Sequence, residues 1–185
     1  MTDASAGASA NAFVERGAAA ETTMKERGYL TYEVVGPDGK VKQTATSENA
    51  LTTVGAGYIL GLVSPSSPGT HDATLWLGLI ATDTPTLDVA DTMGSHAGWV
   101  EEDDSTYERK AWAAGAAAAG PPASLSAECS FTENTATMVV YGAFLNTDEI
   151  AAAGTLIATT ALSGGGSLSV TSADTLNITF KLTLA

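Results

Sequence analysis

Ten residues near the end of the chain constrain its fold class most. In Thr175–Leu184, Leu176, Ile178, Phe180, Leu182 and Leu184 alternate with Thr175, Asn177, Thr179, Lys181 and Thr183. Residues two apart share one face of a strand, so this segment is an amphipathic β-strand whose apolar face must be buried. The same period of two runs through Ala123–Phe131. There Ala123, Leu125, Ala127, Cys129 and Phe131 alternate with Ser124, Ser126, Glu128 and Ser130.

Other segments read as strands for related reasons. From Gly28, the aromatic and β-branched run Tyr29–Val35 leads into Gly36-Pro37-Asp38-Gly39, and then into Lys40–Thr46. Proline early in a turn and glycine later supply the backbone angles of a tight reversal, so this is a β-hairpin. Thr74–Ala81 is an apolar run of strand length, as a strand buried on both faces would be. A short strand is expected around Tyr107–Trp112, a turn at Thr132–Asn134 into a strand over Thr135–Leu145, and another strand over Gly154–Leu162. Ser163–Gly166 reads as a further turn, of the hairpin kind. One helix is expected over Ala50–Val63, with Asn49, Thr52 and Thr53 as candidate caps and a stripe of Leu51, Val54, Tyr58, Ile59 and Leu62. Gly55, Gly57 and Gly61 weaken it but permit close packing on a sheet. Thr82–Ser105 and Ala113–Pro122 show no period and read as irregular. Short strands separated by Gly, Pro and Asp turns indicate a mainly β chain: an antiparallel β-sandwich or jelly roll with one short helix.

Residues 1–12 are small and polar, and residues 13–27 form at best a short helix with a thin apolar stripe. The organisation expected is therefore a flexible N-terminal arm over 1–28 and a β-sandwich body over 29–185. Within the 185 residues, 21 acidic side chains face 8 basic ones, for a net charge of −13. Five of the basic residues (Arg16, Lys25, Arg27, Lys40 and Lys42) precede position 43. Binding to phosphates needs clustered cations, so nucleic acid is not an expected partner. No apolar stretch has the length of a membrane span, and the N-terminus lacks the basic and apolar regions of a secretory signal. The single cysteine, Cys129, excludes an intrachain disulfide and a cysteine-based zinc site.

Candidate chemistry is sparse. The histidines are His71, in a loop before a strand, and His96, with Ser95 and Asp91 nearby in sequence. A triad needs convergence in space, which loop neighbours rarely achieve, so His96 is read as organising its own loop. Glu101-Glu102-Asp103-Asp104 could take part in a calcium site, since oxygen ligands suit that ion, but the spacing is not that of an EF-hand. A solvated charged loop is the plainer reading. Cys129 falls on an apolar strand face and is expected to be buried and inert. Ser163–Ser167 has glycines but neither the lysine nor the helix of a phosphate loop. No catalytic residue, metal ligand or cofactor is expected.

The block Asp91-Thr92-Met93-Gly94-Ser95-His96-Ala97-Gly98-Trp99-Val100-Glu101 resembles a motif of small tailed-bacteriophage proteins. Trp76–Leu79 precedes it, and Tyr107–Trp112, Val140–Leu145, Gly154–Leu156 and Asp174–Leu176 follow. The resemblance covers about Gly28 to Ala185 and implies a virion component encoded among head and tail genes. Its acidity, its Ala/Gly loop and its N-terminal arm depart from the family pattern. The resulting expectation is a capsid decoration (cement) protein, assembled in the host cytoplasm, that binds the major capsid protein as a homotrimer where capsomers meet. The alternative is a tail, head-fibre or head–tail connector component attached through the arm. A third reading, a carbohydrate-binding module, would use Trp99 and Trp112 as exposed stacking platforms.

Overall fold

The hairpin after Gly28 forms and is longer than its apolar run. In the computed structural model, which describes residues 26–63, 74–104, 106–114, 123–132, 137–150 and 152–184, β1 spans Glu26–Val35 and β2 spans Val41–Leu51. Glu26 and Arg27 therefore belong to a strand, not to the end of a helix or arm, and residues 1–25 lie outside the described part. The helix α1 covers Thr53–Val63, three residues later than expected. Ala50 and Leu51 instead extend β2 to pair with Thr159 and Ala158. Thr52 is the cap: its Oγ1 accepts from Gly55 N at 3.0 Å, while its own N–H donates to Ile157 O at 3.0 Å.

The remaining strands are β3 (Leu75–Ile80), β4 (Lys110–Trp112), β5 (Ala123–Thr132), β6 (Met138–Val140), β7 (Gly142–Asn146), β8 (Leu156–Ala161), β9 (Leu168–Val170) and β10 (Thr175–Leu184). Eight of them form one antiparallel sheet in the order β4-β3-β7-β8-β2-β1-β10-β5, and β6 pairs with β9 in a small second sheet. The long strand β2 turns the corner: it pairs with β1 up to Asn49 and with β8 beyond it. The sheet thus bends into two halves and nearly closes, giving a sandwich-like, mainly β fold. Across the seam, Cys129 Sγ on β5 lies 3.5 Å from Ala111 O on β4.

Two turns differ from expectation. The segment Thr135–Leu145 is not one strand following a β5 hairpin. It breaks at Tyr141, so that β6 joins β9 while β7 enters the large sheet between β3 and β8. Ser163–Gly165 is a 3-10 turn, and it is no hairpin, because the strands it links lie in different sheets.

The inner core draws on both halves. Leu30, Tyr32 and Val34 of β1 and Leu176, Ile178 and Phe180 of β10 meet Leu77, Leu79, Ala143 and Leu145. The apolar face of β10 is thereby buried from Leu176 to Phe180, with Leu182 partly buried against it and the side chain of Leu184 outside the described part. Phe180 stands edge-on to Trp112 with ring centroids 5.5 Å apart. Inside the corner, the Tyr32 hydroxyl is fully buried, and burial holds its pKa far above the ordinary phenol value. Ser47 Oγ accepts from Thr160 Oγ1 at 2.7 Å, and Ser47 and Tyr32 hydroxyls lie 3.4 Å apart. Gly55 lies against the Ile157 carbonyl, where a Cβ would collide, so the helix sits close on β8 as expected. Gly57 and Gly61 face open space, and Val54 and Leu60 are exposed, so the outer side of α1 does not pack on the sheet.

Lys42 on β2 reaches Asp174, just before β10, with Nζ 2.6 Å from Oδ1. Thr171 donates to the other oxygen from both its hydroxyl and its N–H.

Two outcomes follow. Phe180→Ala should cost about 3–5 kcal/mol, because a packed aromatic is replaced by a cavity; urea denaturation measures it, and a loss below about 1 kcal/mol would remove this strand from the core's foundation. The Lys42 contact, then Thr171, holds the Asp174 carboxyl below its ordinary pKa. A depressed pKa gives stability that is present at neutral pH and lost as acid carries the group through its folded-state value. Thermal melts should therefore fall on acidification below the ordinary carboxylate range. Asp174→Asn should melt lower at pH 7 and show a shallower acid limb.

Candidate functional site

The apolar run of β3 forces the next layer to exist. Leu77 and Leu79 face the inner core, so Ile80, with Phe144 on β7 and Leu156 on β8, needs cover on the other side of the sheet. The stretch that reads as irregular supplies it. Met93 and Trp99 are 2% exposed and pack on Ile80, Phe144 and Leu156, with Leu87 at the edge. The segment after β3 is therefore a structural cover for the sheet, not a loose loop.

Specific contacts hold its shape. Trp99 Nε1 donates to Asp91 Oδ2 at 3.0 Å, and the same oxygen accepts from Asp88 N. His96 stacks on Trp99 with centroids 3.8 Å apart and a 14° interplanar angle. Its Nδ1 lies 3.1 Å from Trp99 O, which fits a protonated Nδ1 donating to that carbonyl. Ser95 and Thr92 exchange backbone hydrogen bonds. Gly98 lies against Thr86 O, leaving no room for a Cβ. Asp91 Oδ2 thus serves Trp99 and the backbone of Asp88, and Asp91, Ser95 and His96 lie within one folded turn.

An ion pair anchors the end of the cover. Arg109 donates to both Glu101 oxygens, from Nε at 2.7 Å and from Nη2 at 2.6 Å. Its Nη1 donates to the Asp148 and Ile150 carbonyls, each at 2.8 Å, and the guanidinium lies 5.1 Å from the Phe144 ring centroid. The Tyr107 hydroxyl accepts from Leu79 N at 3.0 Å and donates to Glu101 at 2.9 Å. Burial, with the Glu101 charge second, raises its pKa far above the ordinary phenol value. Opposite charges eight residues apart were the signal available for this pair, and the charge pattern alone did not reveal it.

The acidic run divides by role. Glu101 faces inward to Arg109, Glu102 Oε1 accepts from Asp103 N and Asp104 N, and Asp104 Oδ1 accepts from Thr106. Among the described residues, no group of three or more His, Cys, Asp or Glu side chains is arranged to hold a metal ion. Beside the run lies an open cleft of about 1020 Å³, bounded by the cover, β3, β4, Glu149 and Ala152. Cys129 is 4% exposed, and burial, with Glu128 second, pushes its thiol pKa up to about 11. Trp99 and Trp112 are 2% and 5% exposed, so neither is available as a carbohydrate-stacking platform. His71 lies outside the described residues.

Comparison with protein-family models, curated proteins and solved structures finds no match.

The anchor generates a test. Arg109→Met leaves the Glu101 carboxylate half-buried without its cation and should cost about 3–5 kcal/mol. Arg109→Lys should recover only part of that, because a lysine cannot reproduce the planar fork. Denaturant titration of both variants measures the difference, and equal stability of Arg109→Lys and the wild type would show that the fork geometry contributes nothing.

Proposed function

We propose that this chain is a structural component of a tailed-bacteriophage virion, acting as a decoration protein that binds and stabilises the capsid shell. The observation that carries the reading is how the block Asp91–Glu101 uses its side chains. This is the stretch that resembles the phage motif, and Asp91, Met93, His96, Trp99 and Glu101 are all turned to packing or to internal hydrogen bonds. A motif spent on building a rigid wall suits a protein whose task is to present a fixed surface. Preorganised surfaces lose little freedom when they bind.

The homotrimer is part of the same proposal, but the edges of the large sheet do not require it. β4 and β5 end the strand order, yet they lie against each other across the seam. Association would instead have apolar surface to cover at Val54 and Leu60 of α1, and at Val89, whose carbonyl accepts from Thr53 N at 2.7 Å.

Quantitative mass spectrometry of purified particles of the phage that encodes the chain tests this reading. A decoration protein should be present at on the order of hundreds of copies per particle, as symmetric coverage of a shell demands. About a dozen copies or fewer would move it to the tail or a head fibre, again by symmetry. Absence from particles would refute the virion role.

A further inference from the structure

The cleft beside the acidic run has a floor and a rim of different chemistry. Trp76 is half-buried on its floor, with Ala111 opposite it in register on β4 and Ala152 nearby. Val100 is 62% exposed at its side and continues the apolar surface of the floor. Around this apolar floor stand Glu102, Asp103, Asp104, Glu108 and Glu149. The cations lining the cleft are Arg109 and Lys110: Arg109 is spent on Glu101, and Lys110 lies 3.8 Å from Glu108.

We propose that this cleft is a docking groove for an extended polypeptide segment that carries lysines or arginines around small apolar residues. The apolar floor would take the uncharged side chains, and the carboxylate rim would pair with the cations on either side. Charge complementarity of this kind steers encounter and fixes register. The groove is held open before binding: Glu101, Arg109 and Tyr107 form its back wall, and Arg109 tethers the segment Asp148–Ile150 through two carbonyls. Nucleic acid does not fit, because its phosphates would meet the rim with like charge. The inference does not rest on the virion reading; a soluble partner with such a segment would satisfy it.

The test uses the full chain and the peptide acetyl-KKLKKLKK-amide, with spermine as a purely cationic competitor. A chain of charge −13 attracts any cation weakly, so the decisive comparison is between two variants of equal charge. One is Asp103→Asn/Glu108→Gln/Glu149→Gln, on the exposed rim. The other is Glu33→Gln/Glu48→Gln/Glu128→Gln, on the outer face of the β2-β1-β10-β5 half. Binding is read by calorimetry and by tryptophan fluorescence, to which half-buried Trp76 is the accessible reporter. Both variants should melt like the wild type. The rim variant should bind the peptide at least about tenfold more weakly and lose the fluorescence change, whereas the outer-face variant should stay within about twofold. Added salt should weaken wild-type binding. Equal losses in the two variants, or spermine binding as tightly as the peptide, would overturn the groove in favour of diffuse attraction. No binding by the wild type would overturn it outright.

Discussion

The bidentate pair between Glu101 and Arg109 is the contact on which the outer half of the molecule depends. A guanidinium as buried as Arg109 is tolerable only if its donors are satisfied. Nε and Nη2 take the carboxylate, Nη1 takes two carbonyls, and the ring of Phe144 lies beside the plane. One side chain thereby ties together three separate stretches: the end of the sheet cover, the strand region before β4, and Asp148–Ile150. Tyr107 adds a fourth tie, because its hydroxyl connects Glu101 to the backbone of β3. In a chain with few cations after position 43, the placement of this one is decisive.

The need for that pair comes from β3 and β7, which are apolar on both faces. A sheet with one wet face could end its layers at the inner core. Here Phe144 and Ile80 point outward, and leaving them in water would forfeit about 1.5–3 kcal/mol each. The cover buries them under Trp99 and Met93; the Trp99 indole N–H is met by Asp91, and Thr92 and Ser95 exchange backbone hydrogen bonds beside Met93. Hydrophobic demand set in the strands is thus met by a segment with no regular structure.

Legibility in the sequence follows from this division. The strands β5 and β10 are legible because a period of two is a local signal, and β1 because its aromatic and β-branched run leads into a Gly-Pro-Asp-Gly turn. β3 is legible too, since an unbroken apolar run has few uses other than a buried strand. The start of α1 was misplaced because Ala50 and Leu51 are decided by pairing with β8, more than a hundred residues away. The break at Tyr141 has the same origin: β6 and β7 have different partners, and neither partner is visible from Thr135–Leu145. The cover had no period to detect, because its order comes from Trp99 on Asp91 and His96 on Trp99. His96 could be read as organising its own loop, whereas the contact that does so is a stacked ring as much as a hydrogen bond. The groove was least legible, as Trp76, Val100 and Glu149 are brought together only by the sheet order.

The pairing of β1 with β10 sets how the body would respond to mechanical load. The two strands are antiparallel neighbours, and Glu26 stands opposite Leu184. Tension applied between those two positions would peel the strands apart from one end, breaking hydrogen bonds singly, because such bonds run perpendicular to the strands. Such a zipper opens at far lower force than strands sheared along their length. A body built this way yields when pulled by these two ends, so any load it transmits must enter through its flanks.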